Sequence, residues 1–153
     1  MTVAVRVETR IARPPEAVFE ALSDVEHYPR WLIASGIVRV ERLDPGPLAA
    51  GSRLRISQNV GGRSTVLDGS VTALTPSSAF GLRGKDKDGV TIEIDATLAP
   101  DGAATRLTWS LQVKLPLRFR LFESMVSPQA QRAAALDLEA LKQRLESAAS
   151  GLQ

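Results

Sequence analysis

The sequence predicts an α+β domain: a curved, seven-stranded antiparallel sheet wrapped around a long C-terminal helix, with two short helices between the first and second strands. Three observations predict it. Residues 3–11 and most of residues 37–113 alternate apolar and polar side chains with a period of two, as half-buried strands do. Residues 134–148 place apolar side chains three and four apart, as an amphipathic helix does. Turn sequences of hairpin length separate the strands, which joins neighbours antiparallel.

In the first strand Val3, Val5, Val7, Thr9 and Ile11 oppose Thr2, Ala4, Arg6, Glu8 and Arg10. Pro14-Pro15 ends it, because proline cannot donate to a ladder, and the same proline suits the first turn of a helix. Val18, Phe19 and Leu22 mark that helix's apolar face, and a second short helix spans Glu26–Leu32. Ile37–Leu43 is a strand closed by Asp44-Pro45-Gly46-Pro47. Leu54, Ile56, Gln58 and Val60 share one face of the next, which Gly61-Gly62 turns into a strand carrying Leu67, Gly69, Val71 and Ala73. Phe80–Gly84 follows, then Asp88-Gly89 leads into a strand with Val90, Ile92, Ile94, Ala96 and Leu98. Pro100-Asp101-Gly102 turns into the last strand, with Leu107, Trp109, Leu111 and Val113 on one face. In the final helix Ala134, Leu138, Leu141, Leu145 and Ala148 form the stripe, and Glu139 and Lys142 pair on the wet side. Helix also extends from Leu117 to Val126, but its apolar residues are out of phase with that stripe. Ser127-Pro128 reads as an N-cap followed by an N1 proline, so a kink or break is expected there.

The 153 residues suit a single domain, residues 1–153, able to bury ~70% of the surface its unfolded chain exposes. Zero cysteines exclude disulfides, thiol nucleophiles, thiolate zinc sites and iron–sulfur clusters. One histidine excludes multi-histidine metal sites, so neither a metal nor another cofactor is expected. Residues 1–76 carry nine basic and eight acidic side chains and residues 77–153 ten and nine, so neither half is a nucleic-acid footprint. The cluster Lys114, Arg118 and Arg120 has no interleaved Tyr or Trp on which bases would stack. No apolar run exceeds four residues, so neither a membrane span nor a signal-peptide core is expected, and the expected location is the cytoplasm.

Pro14-Pro15-Glu16-Ala17-Val18-Phe19, then Asp24-Val25-Glu26-His27-Tyr28-Pro29-Arg30-Trp31, and the later Gly51-Ser52-Arg53-Leu54-Arg55 strand entry carry a resemblance. With the element order they make residues 3–148 similar to the START-like (helix-grip, SRPBCC) superfamily, and within it to the bacterial polyketide cyclase/dehydrase and lipid-transport group. The resemblance implies a helix-grip fold with a cavity between sheet and C-terminal helix. It also implies a small hydrophobic ligand there, such as a lipid, a polyketide or an aromatic compound. The Arg–His–Asp set of several cyclase members has no obvious counterpart in this chain.

Reactive groups are sparse. His27 has the one near-neutral side chain, but Glu26 and Arg30 beside it suit an exposed helix. Glu93 and Asp95 share a face, but it opposes Ile92 and Ile94 and so meets solvent. Gly84-Lys85 lacks the Ser or Thr and the helix of a phosphate loop, and Asp86-Lys87-Asp88-Gly89 is too short for a calcium loop. Gln58 is an amide on an apolar face and needs a partner in the protein, a water or a ligand. Ser124, Ser127 and Gln131 share that need if the helix runs on unbroken. Candidate ligand contacts are therefore Tyr28, Trp31, Gln58, Trp109, Phe122 and Met125, with no catalytic residue assigned. The favoured reading is binding, transport or sequestration of a hydrophobic ligand. The alternatives are a cyclase or aromatase working through Tyr28 and His27, and a protein-interaction module of the toxin-like or chaperone-regulating kind.

Overall fold

A computed structural model describes residues 2–151, with the side chains of residues 120, 122–125, 150 and 151 outside the description. Seven strands form one antiparallel sheet: β1 (Thr2–Ile11), β2 (Ile37–Arg42), β3 (Arg53–Val60), β4 (Arg63–Thr75), β5 (Ala79–Lys85), β6 (Thr91–Asp101) and β7 (Ala104–Lys114). Their order is β1-β7-β6-β5-β4-β3-β2, so the first two strands form the two edges. Helix α1 (Pro15–Ser23) and a 3-10 helix (Val25–Arg30) cross from one edge to the other. The expected second short helix, Glu26–Leu32, is in fact shorter and more tightly wound, with Pro29, which has no N–H to give, inside it. A further 3-10 helix (Leu117–Phe122) leads into the long helix α2 (Glu123–Gly151).

Three expectations need correction. Helix α2 starts at Glu123 and runs through Pro128, so the change of helix type falls upstream of the proline and not at Ser127-Pro128. The face assigned to Ala73 is wrong, because the β4–β5 register shifts between Val71 and Ala73. Leu74 then opposes buried Phe80, and Ala73 opposes Gly81 on the convex side. Glu139 accepts a hydrogen bond from Gln143 (3.3 Å) in place of pairing with Lys142. Strand β6 also runs on through Pro100, into a tighter turn. Leu98 N donates to Ser78 O, so the nitrogen of Pro100 points the same way, past the end of β5, where no donor is needed.

The core divides α2 into two parts. Its C-terminal half packs Ala134, Leu138 and Leu141 into the buried core against β1. Arg13 donates to Leu145 O and Ala12 N to Glu146, which ties the bend after β1 to the same half. The deep end of the sheet is closed by Val18, Leu22 and Val25, with Phe19 edge-on to Phe80 at 6.4 Å. The N-terminal half of α2 presents Val126, Ala130 and Ala133 to the sheet without filling the space beneath.

Candidate ligand cavity

That space is a cavity of about 410 Å³. The hairpin ladder β3–β4 builds one wall, and its inward rungs grade from apolar to polar: Leu54–Gly69, Ile56–Leu67, Gln58–Thr65, Val60–Arg63. Gly61 and Gly62, both with positive φ (60° and 79°), close this hairpin in two residues, a geometry that favours glycine at both positions. Strands β5 to β7 supply the floor through Leu82, Ile94, Ile92, Leu111, Val113 and Trp109. Gly84 faces the same space opposite Gly69 and contributes room by lacking a side chain. A Cβ at Gly84 would stand 3.2 Å from that of Leu67.

The loop 33–36 forms the remaining wall. Gly36, at φ 76°, receives the N–H of Asn59 on its carbonyl, and a Cβ there would lie 2.0 Å from the Asn59 oxygen. Asp137 of α2 holds this loop from behind. Only 2% exposed, it accepts from Ala34 N (2.8 Å) and Ser35 N (3.0 Å). Burial raises its pKa, and the donated hydrogen bonds oppose that shift without cancelling it. Ser35 O in turn accepts from Gln58 Nε2 (2.8 Å), so α2, the loop and β3 form one connected set.

The charged groups around the cavity are already engaged. Arg63 pairs with the Asp88 carboxylate, and Arg118 donates to the Asp88 carbonyl, so the β3–β4 turn, the β5–β6 turn and the segment after β7 meet at the mouth. Asp86 Oδ1 accepts from Asp88 N and Val90 N (both 2.9 Å). Arg83 lies 3.6 Å from Glu93 on the convex face.

Of the six residues expected to contact a ligand, Tyr28, Gln58 and Trp109 line the cavity. Trp31 is not among the lining residues; it packs behind, edge-on to Tyr28 (5.3 Å) and to Trp109 (5.7 Å). The side chains of Phe122 and Met125 lie outside the described residues. The Tyr28 hydroxyl donates to Leu22 O, and desolvation first, then the charge of Asp24, pushes its pKa up. That proton is committed. His27 is half-exposed and bonded through Nδ1 to Asp24 (2.6 Å), away from the cavity. Among the described residues no group of three or more His, Cys, Asp or Glu side chains is placed to hold a metal ion, and no helix is long and apolar enough to cross a membrane. Tyr28→Phe is expected to cost about 1 kcal/mol in urea unfolding and to leave ligand affinity unchanged. A tenfold affinity loss would instead make the hydroxyl part of the site.

Thr65 and Asp137 are among the residues of this site that escaped the sequence reading. Thr65 was detectable, since it and Gln58 are equidistant from the Gly61-Gly62 turn. Asp137 sits inside the apolar stripe, between Ala134 and Leu141, and a carboxylate in that position was the available signal.

A sheet gripping one long helix over an apolar cavity defines a helix-grip protein. The chain belongs to the polyketide cyclase / dehydrase and lipid transport family, which matches residues 2–146. Solved structures agree on the fold. The protein TTHA0849 from Thermus thermophilus is 21% identical with a TM-score of 0.77, covering 95% of this chain and 98% of that one. The ZhuI aromatase/cyclase from Streptomyces sp. R1128 is 18% identical with a TM-score of 0.77, covering 95% and 94%. A START superfamily protein from Mycobacterium smegmatis is 23% identical with a TM-score of 0.75, covering 94% and 97%. No curated protein matches the sequence significantly.

Proposed function

We propose that this chain acts as a single domain that binds a small hydrophobic ligand between sheet and α2, with Tyr28, Gln58 and Trp109 in contact, and does not transform it. The observation that carries this reading is the 410 Å³ cavity, whose walls are mostly apolar and whose flanking charges are engaged with the protein itself. That volume falls within the ~300–1,000 Å³ of small-molecule sites. At ~30 Å³ per water-sized group it admits a ligand of about fourteen non-hydrogen atoms. This corresponds to a medium acyl chain or two to three fused rings.

A cyclase reading draws on the likeness to an aromatase/cyclase. It needs a proton carrier in the cavity, and neither the committed hydroxyl of Tyr28 nor the outward His27 supplies one.

Native mass spectrometry of the purified protein should show a bound apolar molecule, and titration with one should quench or shift tryptophan emission saturably. Trp31 and Trp109 touch, so their emission responds as a unit. Absence of any bound species, together with no calorimetric binding of acyl or aromatic probes, would overturn the reading.

A further inference from the structure

We propose that the cavity selects an uncharged ligand carrying one hydroxyl group, alcoholic or phenolic, which donates to Gln58 Oε1 beside Thr65. This rests on the ligand-binding reading above and specifies its chemistry.

The orientation of the Gln58 amide is fixed by its partner. Ser35 O is a carbonyl and can only accept, so the atom 2.8 Å from it is the NH2 group. Ser35 is itself anchored by Asp137, so the amide does not turn to follow the ligand. The other end of the amide, Oε1, is then left without a protein donor among the described residues, on a residue that lines the cavity. An amide oxygen accepts and never donates, so it calls for an O–H or N–H on the ligand. Thr65 stands directly opposite on the same inward rung, and its hydroxyl also has no protein partner among the described residues. Directly opposed Cβ atoms lie ~5 Å apart, close enough for one ligand hydroxyl to reach both side chains. The rungs on the deep side, Ile56–Leu67 and Leu54–Gly69, are apolar, so the ligand's polar group sits toward the mouth and its carbon body points inward.

Charge complementarity excludes the acid analogue. Arg63 is held by Asp88, and the Asp86 carboxylate lies at the same rim. A ligand carboxylate at the Gln58–Thr65 rung would be desolvated against an acceptor-only amide oxygen, with no free cation among the described cavity-lining residues to offset the cost.

Calorimetric titration at pH 7 with 2-naphthol, naphthalene and 2-naphthoate, paired with 1-decanol and decanoate, tests this. The alcohols should bind about tenfold more tightly than naphthalene and at least tenfold more tightly than the matching carboxylates. In Gln58→Leu and, separately, in Thr65→Val, the preference for 2-naphthol over naphthalene, read as a ratio within each variant, should collapse toward onefold and threefold respectively. If Gln58→Leu loses its folded circular dichroism, Thr65→Val decides. Carboxylates binding as well as alcohols, or a naphthol preference that survives in the folded variants, would overturn the inference and leave the cavity reading standing. Should none of the five probes bind, the cavity reading and this inference fall together.

Discussion

Asp137→Leu is expected to destabilise the protein by about 3 kcal/mol in urea unfolding, the largest stability loss of any single polar substitution outside the strands. Two backbone donors, Ala34 N and Ser35 N, lose their acceptor, and each buried orphan costs ~1–3 kcal/mol. The loop they belong to is cavity wall, so the damage should also reach function: Ser35 O moves and Gln58 loses its partner. Asp137→Asn keeps one oxygen but turns an NH2 toward a donor, and should cost about half as much. A loss under 0.5 kcal/mol for the leucine variant would mean the loop finds its hydrogen bonds elsewhere.

The same residue gives a pH dependence with a definite sign. Burial raises the folded-state pKa of Asp137 above its unfolded value of ~3.9. The native chain therefore retains a proton that the unfolded chain has released. Its contribution to stability is full below pH ~4 and declines as pH rises through the raised value. Asp137→Asn cannot titrate, so the difference in unfolding free energy between the natural chain and this variant should shrink in that direction across the same window. A difference that grows with pH would contradict the assignment.

The sheet was legible because each strand carries its own evidence. Alternation names the inward face, and glycine pairs such as Gly61-Gly62 fix the register of a hairpin through geometry alone. The β4 bulge was not legible, since Ala73 continues the period of two in sequence while an extra residue in the ladder reverses its face. Likewise, Ser127-Pro128 has the composition of a helix start, and the segment from Glu123 overrides it. The cavity itself is invisible to periodicity. Ile92, Ile94 and Leu111 alternate inward just as Leu98 and Leu107 do, yet the first three face open space and Leu107 is fully buried. Pattern says which side chains point inward; whether anything fills the space depends on how α2 sits, and residues from different elements decide that together. Gln58 was recognisable as an inward amide, but its partner lies twenty-three positions away, in a loop placed by Asp137.

Ala133→Trp should abolish binding of 2-naphthol, by at least a hundredfold, while the protein stays folded. Ala133 lies on the half of α2 that roofs the cavity, next to but outside the buried trio Ala134, Leu138 and Leu141. The substitution adds about nine non-hydrogen atoms, ~270 Å³ at ~30 Å³ each. That is roughly two thirds of the 410 Å³ available, so the indole fits and a bicyclic ligand beside it does not. Because the ring enters existing space, the overpacking cost of ~1–3 kcal/mol for a filled core is largely avoided, and the helix-propensity loss is only a few tenths of a kcal/mol. The melting temperature should therefore fall by a few degrees at most, or rise as new apolar contacts form. Ala135→Trp, two positions on and exposed, controls for the added chromophore and should bind 2-naphthol normally. The two variants also differ in emission: the indole at 133 should be blue-shifted by its apolar walls and the one at 135 should emit as in water. If the indole at 133 is blue-shifted and 2-naphthol still binds with unchanged affinity, the ligand occupies some other surface and the space between sheet and helix is not its site.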